Sequence, residues 1–266
     1  MKHEPKSPRK VVRWGPALMA IAAIAVLAPP AFGQGRRASS RLSFSRLSWS
    51  ARSSVEPEGP LENIFGGAGK TVFLNPDGSL TLRIAEQDGI RLAAEVSTVK
   101  SFGFGTYTFR LRESPAELDK GLVLGLFTYS PDPAYNHSEI DIEFSGWGSR
   151  SKPVQGQYVM QPYDLLGNMV FFDLSKAKGP ASYSFTWTPN RVEFSSWQGH
   201  GPAPLPNTEG IIHAWLYNDP KGIPLPGTAS VHMNLYLVKG ASGVLGKGRS
   251  EITVDSFEFK KWGLTP

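Results

Sequence analysis

Residues 139–144 read Glu-Ile-Asp-Ile-Glu-Phe. Three carboxylates alternate with three large apolar side chains, which is the two-residue period of a β-strand. On such a strand Ile140, Ile142 and Phe144 point into a core, and Glu139, Asp141 and Glu143 share the opposite face. Like charges at this spacing repel and push at least one pKa upward. A site that holds one protonated and one ionised carboxyl group is what glycosidic-bond chemistry needs. The same alternation also describes a half-exposed strand with a solvated acidic face.

Reach separates the two readings. Residues i and i+4 of a strand have Cα atoms roughly 13 Å apart, and a retaining glycosidase needs its two carboxyl groups about 5–5.5 Å apart. Two Glu side chains leaning together close most of that gap, with help from strand twist, whereas two Asp fall short. Asp141 lies between the two Glu and is placed to hydrogen-bond to either. The flanks add aromatic residues: Tyr129 before the acids, and Trp147 just after Gly146. Sugars pack their C–H faces on flat rings, while their hydroxyls need polar partners.

The elements that must position these acids are strands. Short apolar and β-branched runs, separated by turns rich in Gly, Pro, Asn and Asp, fill residues 70 to 262. No long amphipathic helical pattern follows residue 60, and no solenoid or propeller repeat is visible. That many strands without helices predicts an all-β chain folded as a two-sheet antiparallel β-sandwich. Residues 121–129 (GLVLGLFTY) are nearly continuously apolar, as a central strand should be.

Several stretches together resemble the family-16 glycoside hydrolases, the group of lichenases, laminarinases and xyloglucan transglycosylases. They are residues 75–82 (NPDGSLTL), 101–110 (SFGFGTYTFR), 121–129, 139–144, 154–158 (VQGQY), 182–189 (SYSFTWTP) and 233–236 (MNLY). The resemblance covers roughly Asn75 to Trp262. It implies a jelly roll with a concave substrate cleft. It also implies that Glu139 is the nucleophile, Glu143 the general acid/base, and Asp141 the helper that tunes the pair. Candidate sugar contacts are Tyr129, Trp147, Gln157, Tyr158 and Trp197, with Trp147 the expected subsite platform. Trp187, Trp215 and Trp262 are assigned to packing. Departures include Gln157 where lichenase-like members carry Asn, and Tyr236 where relatives often carry Trp.

The rest of the chain bounds the context. The 266 residues are 40% hydrophobic and 11% aromatic, enough for one sizeable core. The formal charge of +5 is unevenly spread: residues 1–58 hold 10 Lys/Arg and 3 Asp/Glu, residues 59–266 hold 18 and 20. The basic excess belongs to the N-terminal portion, which argues against nucleic acid as the partner of the domain. Residues 1–33 read as an export signal, with Lys2, Lys6, Arg9, Lys10 and Arg13 ahead of the apolar run Ala17 to Leu27 and a small-x-small site at Ala31-Phe32-Gly33. The apolar run spans about 16 Å, too short for a bilayer core of ~30 Å, so stable membrane insertion is not expected after cleavage, and a secreted or periplasmic location is. With no Cys there is no disulfide. Residues 34–60, rich in Ser and Arg, read as a disordered leader, and residues 61–266 as the catalytic domain. No His/Cys/Asp cluster has catalytic-metal spacing. The expectation is a monomer acting on a polysaccharide without a required cofactor, the resemblance leaving room for a structural calcium. Three functions fit: a retaining endo-β-glycanase cleaving β-1,3 or mixed β-1,3/1,4-glucan, a transglycosylase using the same residues, and a non-catalytic lectin-like binder.

Overall fold

A computed structural model describes residues 40–149, 151–205 and 208–263. The proposed export signal lies outside the described residues. The described residues form seventeen strands. In order they are β1 (Ser40–Phe44), β2 (Leu47–Ala51), β3 (Ile64–Phe65), β4 (Val72–Leu74), β5 (Leu80–Arg83) and β6 (Ala85–Gln87). Then come β7 (Ile90–Thr98), β8 (Gly105–Leu111), β9 (Leu122–Tyr129), β10 (Ile140–Ser145), β11 (Gln155–Met160) and β12 (Met169–Phe172). The last are β13 (Ala181–Thr188), β14 (Arg191–Gln198), β15 (Ile211–Tyr217), β16 (Ser230–Leu237) and β17 (Glu251–Lys261).

Two sheets result, as the strand-rich pattern requires. The larger runs β1-β2-β7-β16-β9-β10-β11-β12, with β3 and β6 also paired to β7. The smaller runs β15-β14-β13-β8-β17-β5-β4. The pairings are antiparallel except for the short β3 against β7. Inward-facing residues of both sheets meet in one core. Leu124, Leu126, Ile140, Ile142, Phe144 and Tyr158 of the larger sheet belong to the same buried cluster as Tyr107, Phe109, Phe185, Trp187 and Phe194 of the smaller. Phe144 meets Tyr183 edge-on at 4.7 Å, and Tyr158 stacks on Phe194 at 4.7 Å. Burying one face of each strand in this way leaves the outer face of the larger sheet for the acids.

The assignment of residues 34–60 as a disordered leader is corrected from Ser40 onward. β1 and β2 form a hairpin whose two-residue turn, Ser45-Arg46, has positive φ at both positions (51° and 63°). A turn of that kind matches the twist of the paired strands. β2 then pairs with β7, placing Trp49 opposite Thr98 and Ala51 opposite Val96. Trp49 is completely buried, donates its indole N–H to the Phe44 carbonyl (3.0 Å) and meets Phe257 of the other sheet edge-on at 5.6 Å. The Ser/Arg composition conceals a period of two: Leu42 and Phe44, then Leu47, Trp49 and Ala51, are the apolar positions. β15 is not evident in the sequence either, because apolar Ala214 and Leu216 occupy its exposed positions and blur its alternation.

This hairpin is integral to the sandwich, so Trp49→Ala is expected to cost about 3–5 kcal/mol in urea unfolding, the usual range for deleting a buried Trp. A chain beginning at residue 61 should lose cooperative unfolding altogether. Near-normal unfolding of that truncation would mean the hairpin is only appended.

Candidate active site

β10 is central in the larger sheet, between β9 and β11. Its register aligns Ile140, Ile142 and Phe144, all fully buried, toward the core. Asp141 and Glu143 therefore lie on the outer face, and Glu139 precedes the strand at its N-terminal edge. Asp141 is 3% exposed, while Glu139 and Glu143 are partly exposed. The row of three is formed as the alternation predicts.

Neighbouring strands furnish the surface around it. Glu143 is flanked by Gln157 of β11 and Gly125 of β9, and the line continues through Asn234 of β16 to Glu95 of β7. Gly125 is required there: an added Cβ would lie 2.5 Å from the Asn234 side-chain oxygen. That oxygen accepts the Gly125 N–H at 3.1 Å. The next line runs Val159, Asp141, Phe127, His232 and Ser97. Gln157 donates its amide to Glu143, and Gln161, just past β11, donates to Asp141 at 3.1 Å.

The electrostatics follow from burial and crowding. Burial, then the charge of Glu143, raises Glu139 to about 8, a hydrogen bond with Asp141 pulling the other way. Burial raises Glu143 to about 7 despite the Gln157 amide. Asp141 is pushed well above the carboxylate range by burial and by both Glu neighbours. The three titrate as one unit, so at neutral pH the protons belong to the row. A hydrogen bond between the Glu139 and Asp141 side chains lowers the pKa of the first and raises that of the second, as expected where two carboxyl groups share a proton.

The predicted sugar contacts divide. Tyr129 stands beside Glu139 at the end of β9, and its ring stacks on His137 at 5.0 Å. Burial, then the Glu139 charge, raises its phenol pKa. Trp147 lies beyond the other end of β10, 37% exposed, and its backbone N–H donates to the Ser145 hydroxyl at 2.8 Å. Gln157 is at the site, but its amide is committed to Glu143. Tyr158 and Trp197 are corrected. Tyr158 follows Gln157 by one residue and so faces the core, fully buried against Phe172 and Phe194 with its hydroxyl on Ser196. Trp197 belongs to β14 of the other sheet, where it is buried and donates to the Gly201 carbonyl at 3.0 Å.

Sequence reading misses Gln161, Glu95, Arg52 and His232. Glu95 accepts from Arg52 at 2.8 Å and contacts His232 at 3.1 Å, and Arg52 also reaches Glu58 at 2.7 Å. Burial opposes ionisation of Glu95, but the His232 hydrogen bond and the Arg52 charge outweigh it and hold its pKa low. The one signal in the sequence is a lone acid inside the apolar run Ala93-Ala94-Glu95-Val96. A separate groove of about 480 Å³ beside the β1–β2 turn, lined by Arg46, Phe102, Phe257, Glu258 and Phe259, contains no pair of carboxylates. For the calcium that the resemblance allows, the described residues assemble no group of three or more His, Cys, Asp or Glu side chains placed to hold a metal ion. Asp77 and Asp255, which do converge on the smaller sheet, both take the Arg112 guanidinium.

Raised carboxyl pKa values carry a stability consequence. The folded state binds these protons more tightly than the unfolded chain, so stability falls as pH rises from about 4.5 through 8. Asp141→Asn keeps an acceptor for Gln161 and a donor for Glu139 while removing one titrating group. It is expected to be more stable than the wild type by roughly 1–3 kcal/mol at pH 8, with the advantage vanishing near pH 4. Urea denaturation at the two pH values checks this, and an advantage that grows toward acid would refute it.

The geometry has counterparts among known proteins. No curated protein matches the chain by sequence. In structure it is similar to a Bacillus licheniformis β-glucanase (TM-score 0.56, 19% identity), covering 80% of this chain and 92% of that one. It is likewise similar to a laminarinase from Rhodothermus marinus (TM-score 0.57, 15% identity), covering 80% and 90%. A β-1,3-glucanase from Mycobacterium marinum gives a TM-score of 0.56 at 18% identity, covering 80% and 90%. At these identities the likeness speaks for the fold. A family model matches the sequence itself over residues 64–196, the stretch that contains β9, β10 and β11 with their acids and amides, and on that match the chain belongs to the glycosyl hydrolases of family 16.

Proposed function

We propose that this protein is an exported, retaining endo-β-glycanase that hydrolyses a β-glucan with β-1,3 or mixed β-1,3/1,4 linkages. The observation that carries the reading is the row Glu139-Asp141-Glu143 on the outer face of the larger sheet, inside the stretch that the family model matches. In this reading Glu139 attacks the anomeric carbon as the glycosidic C–O bond breaks, and Glu143 gives its proton to the leaving oxygen. Glu143, now ionised, takes a proton from water, which attacks the same carbon and releases Glu139. Asp141 donates a hydrogen bond to Glu139, which opposes the burial and the Glu143 charge that raise the nucleophile's pKa. Tyr129 and Trp147, at opposite ends of β10, supply rings for sugar faces. The β-glucan class is supported by the names of the structural neighbours. Export is supported by the basic, apolar and small-residue order of residues 1–33. Among the described residues no helix is long and apolar enough to cross a membrane.

The test is a reducing-end and product-size assay of the full-length chain on laminarin, lichenan, xyloglucan, agarose and carrageenan, with Glu139→Gln alongside. Short oligosaccharides from the wild type and none from the variant are expected. Turnover by Glu139→Gln would remove it as nucleophile, and larger products without new reducing ends would identify transglycosylation.

Glu143→Gln should separate substrates by leaving group. Turnover of the polysaccharide is expected to fall roughly 10²–10⁴-fold, the usual range for a general acid. An activated aryl glycoside should lose less and be partly rescued by azide. Equal losses on both substrates would count against the acid role.

A further inference from the structure

Gln161 lies immediately after β11, four residues beyond Gln157, and three of its polar groups are engaged. Its backbone N–H donates to the Glu139 carbonyl at 3.3 Å. Its side-chain oxygen accepts the Tyr163 backbone N–H at 3.0 Å. Its side-chain nitrogen donates to Oδ2 of Asp141 at 3.1 Å. The second contact settles the orientation of the amide. A backbone N–H can only donate, so the group facing Tyr163 must be the oxygen, and the NH₂ must face Asp141.

That orientation constrains Asp141 in turn. Its Oδ2 receives an N–H and is thereby favoured as the bare oxygen. The proton that Asp141 shares with Glu139 is then carried by Oδ1. Without the amide, that proton is free to sit on either oxygen, and in one of the two arrangements Asp141 turns a lone pair toward Glu139. We propose that Gln161 is a positioning residue, which by donating to Oδ2 holds the Asp141 proton on Oδ1 and so leaves Asp141 a hydrogen-bond donor to Glu139. The proposal rests on the catalytic roles given above for Glu139 and Asp141. Gln161 touches no reacting atom. Gln157 does not duplicate it, since its amide is on Glu143.

Other titratable groups face the same pair. Glu143 lies on β10, Tyr129 on β9, Glu95 on β7, and Tyr236 on β16, and each acts electrostatically on Glu139 or responds to it. His137, in the turn before β10, stacks on Tyr129. Gln161→Met leaves all of these in place and removes the donor to Asp141 together with the acceptor of the Tyr163 N–H, which Gln161→Glu retains. Losing one hydrogen bond to the ionised form should raise the Glu139 midpoint by about half to one pH unit. Since turnover needs Glu139 ionised, the acid limb of the pH–kcat profile should move upward by the same amount. At a pH on that limb, kcat should fall roughly 3- to 10-fold with KM little changed.

The experiment has two arms on the full-length chain. Carboxyl ¹³C NMR titration without substrate reads the Glu139 midpoint in the wild type, Gln161→Met and Gln161→Glu. The Glu variant keeps an acceptor for Tyr163 and should shift the midpoint further than Met, because it also adds a negative charge. The kinetic arm reads the pH–kcat profile on whichever glycan the wild type cleaves. In an Asp141→Ala background there is no proton to orient, so Gln161→Met should then shift nothing more. Unchanged Glu139 midpoints in the folded variants, or an equal shift with and without Asp141, would overturn the proposal. If no glycan is cleaved, the hydrolase reading fails, and the NMR arm still decides the role of Gln161.

Discussion

Three carboxyl groups in one row resist joint ionisation in a partly buried site, and much of the larger sheet's outer face is arranged around that repulsion. Each additional charge costs both desolvation and Coulomb energy, so the row retains protons into the neutral range. This is the property that acid–base and nucleophilic chemistry on a glycosidic bond requires. The core beneath makes it possible. Ile140, Ile142 and Phe144 are locked against the smaller sheet, and their anchorage fixes the register that lines up the acids. A one-residue slip would bury the carboxylates and expose the isoleucines.

The N-terminal hairpin belongs to the same arrangement. Arg52 follows directly after β2, and its guanidinium bridges Glu95 and Glu58. Glu95 adds to the negative potential at Glu139. Left alone, this fourth acid would make ionisation of the row costlier still. Arg52 offsets it locally, at the edge of the site and not within the row. Trp49, two strands away from β16, holds the hairpin that delivers this charge. The hairpin's packing and the site's electrostatics are therefore connected through the short stretch of chain from Trp49 to Arg52.

What is legible in the sequence follows one rule. Strands with one wet and one dry face declare themselves, and so the acid row, the sandwich and most central strands can be read from residue order alone. Ser40–Ala51 cannot, because its Ser and Arg residues are typical of solvated tails while its alternation is only five residues long in each arm. Tyr158 and Trp197 mislead for a related reason. Their aromatic type suggests sugar contact, yet strand parity decides: Gln157 and Tyr158 are neighbours and must face opposite ways. Glu95 and Gln161 need three-dimensional information, since their partners are 43 and 20 residues away in the chain.

The donors chosen for the row have their own logic. Both side chains that β11 and its following residue direct at the acids are primary amides, Gln157 and Gln161. A lysine or arginine there would also satisfy a carboxylate, and more strongly. It would do so by adding a full positive charge within a few ångströms, which typically lowers a carboxyl pKa by about one to three units. The row would then surrender its protons below neutral pH, and the group proposed to protonate the leaving oxygen would already be ionised. A neutral amide orients a carboxyl group and meets its hydrogen-bonding demand without cancelling the repulsion that keeps the proton in place. For a site whose chemistry depends on unlike protonation of like groups, an uncharged donor is the appropriate partner, and a salt bridge of the Arg52–Glu95 kind belongs at its edge.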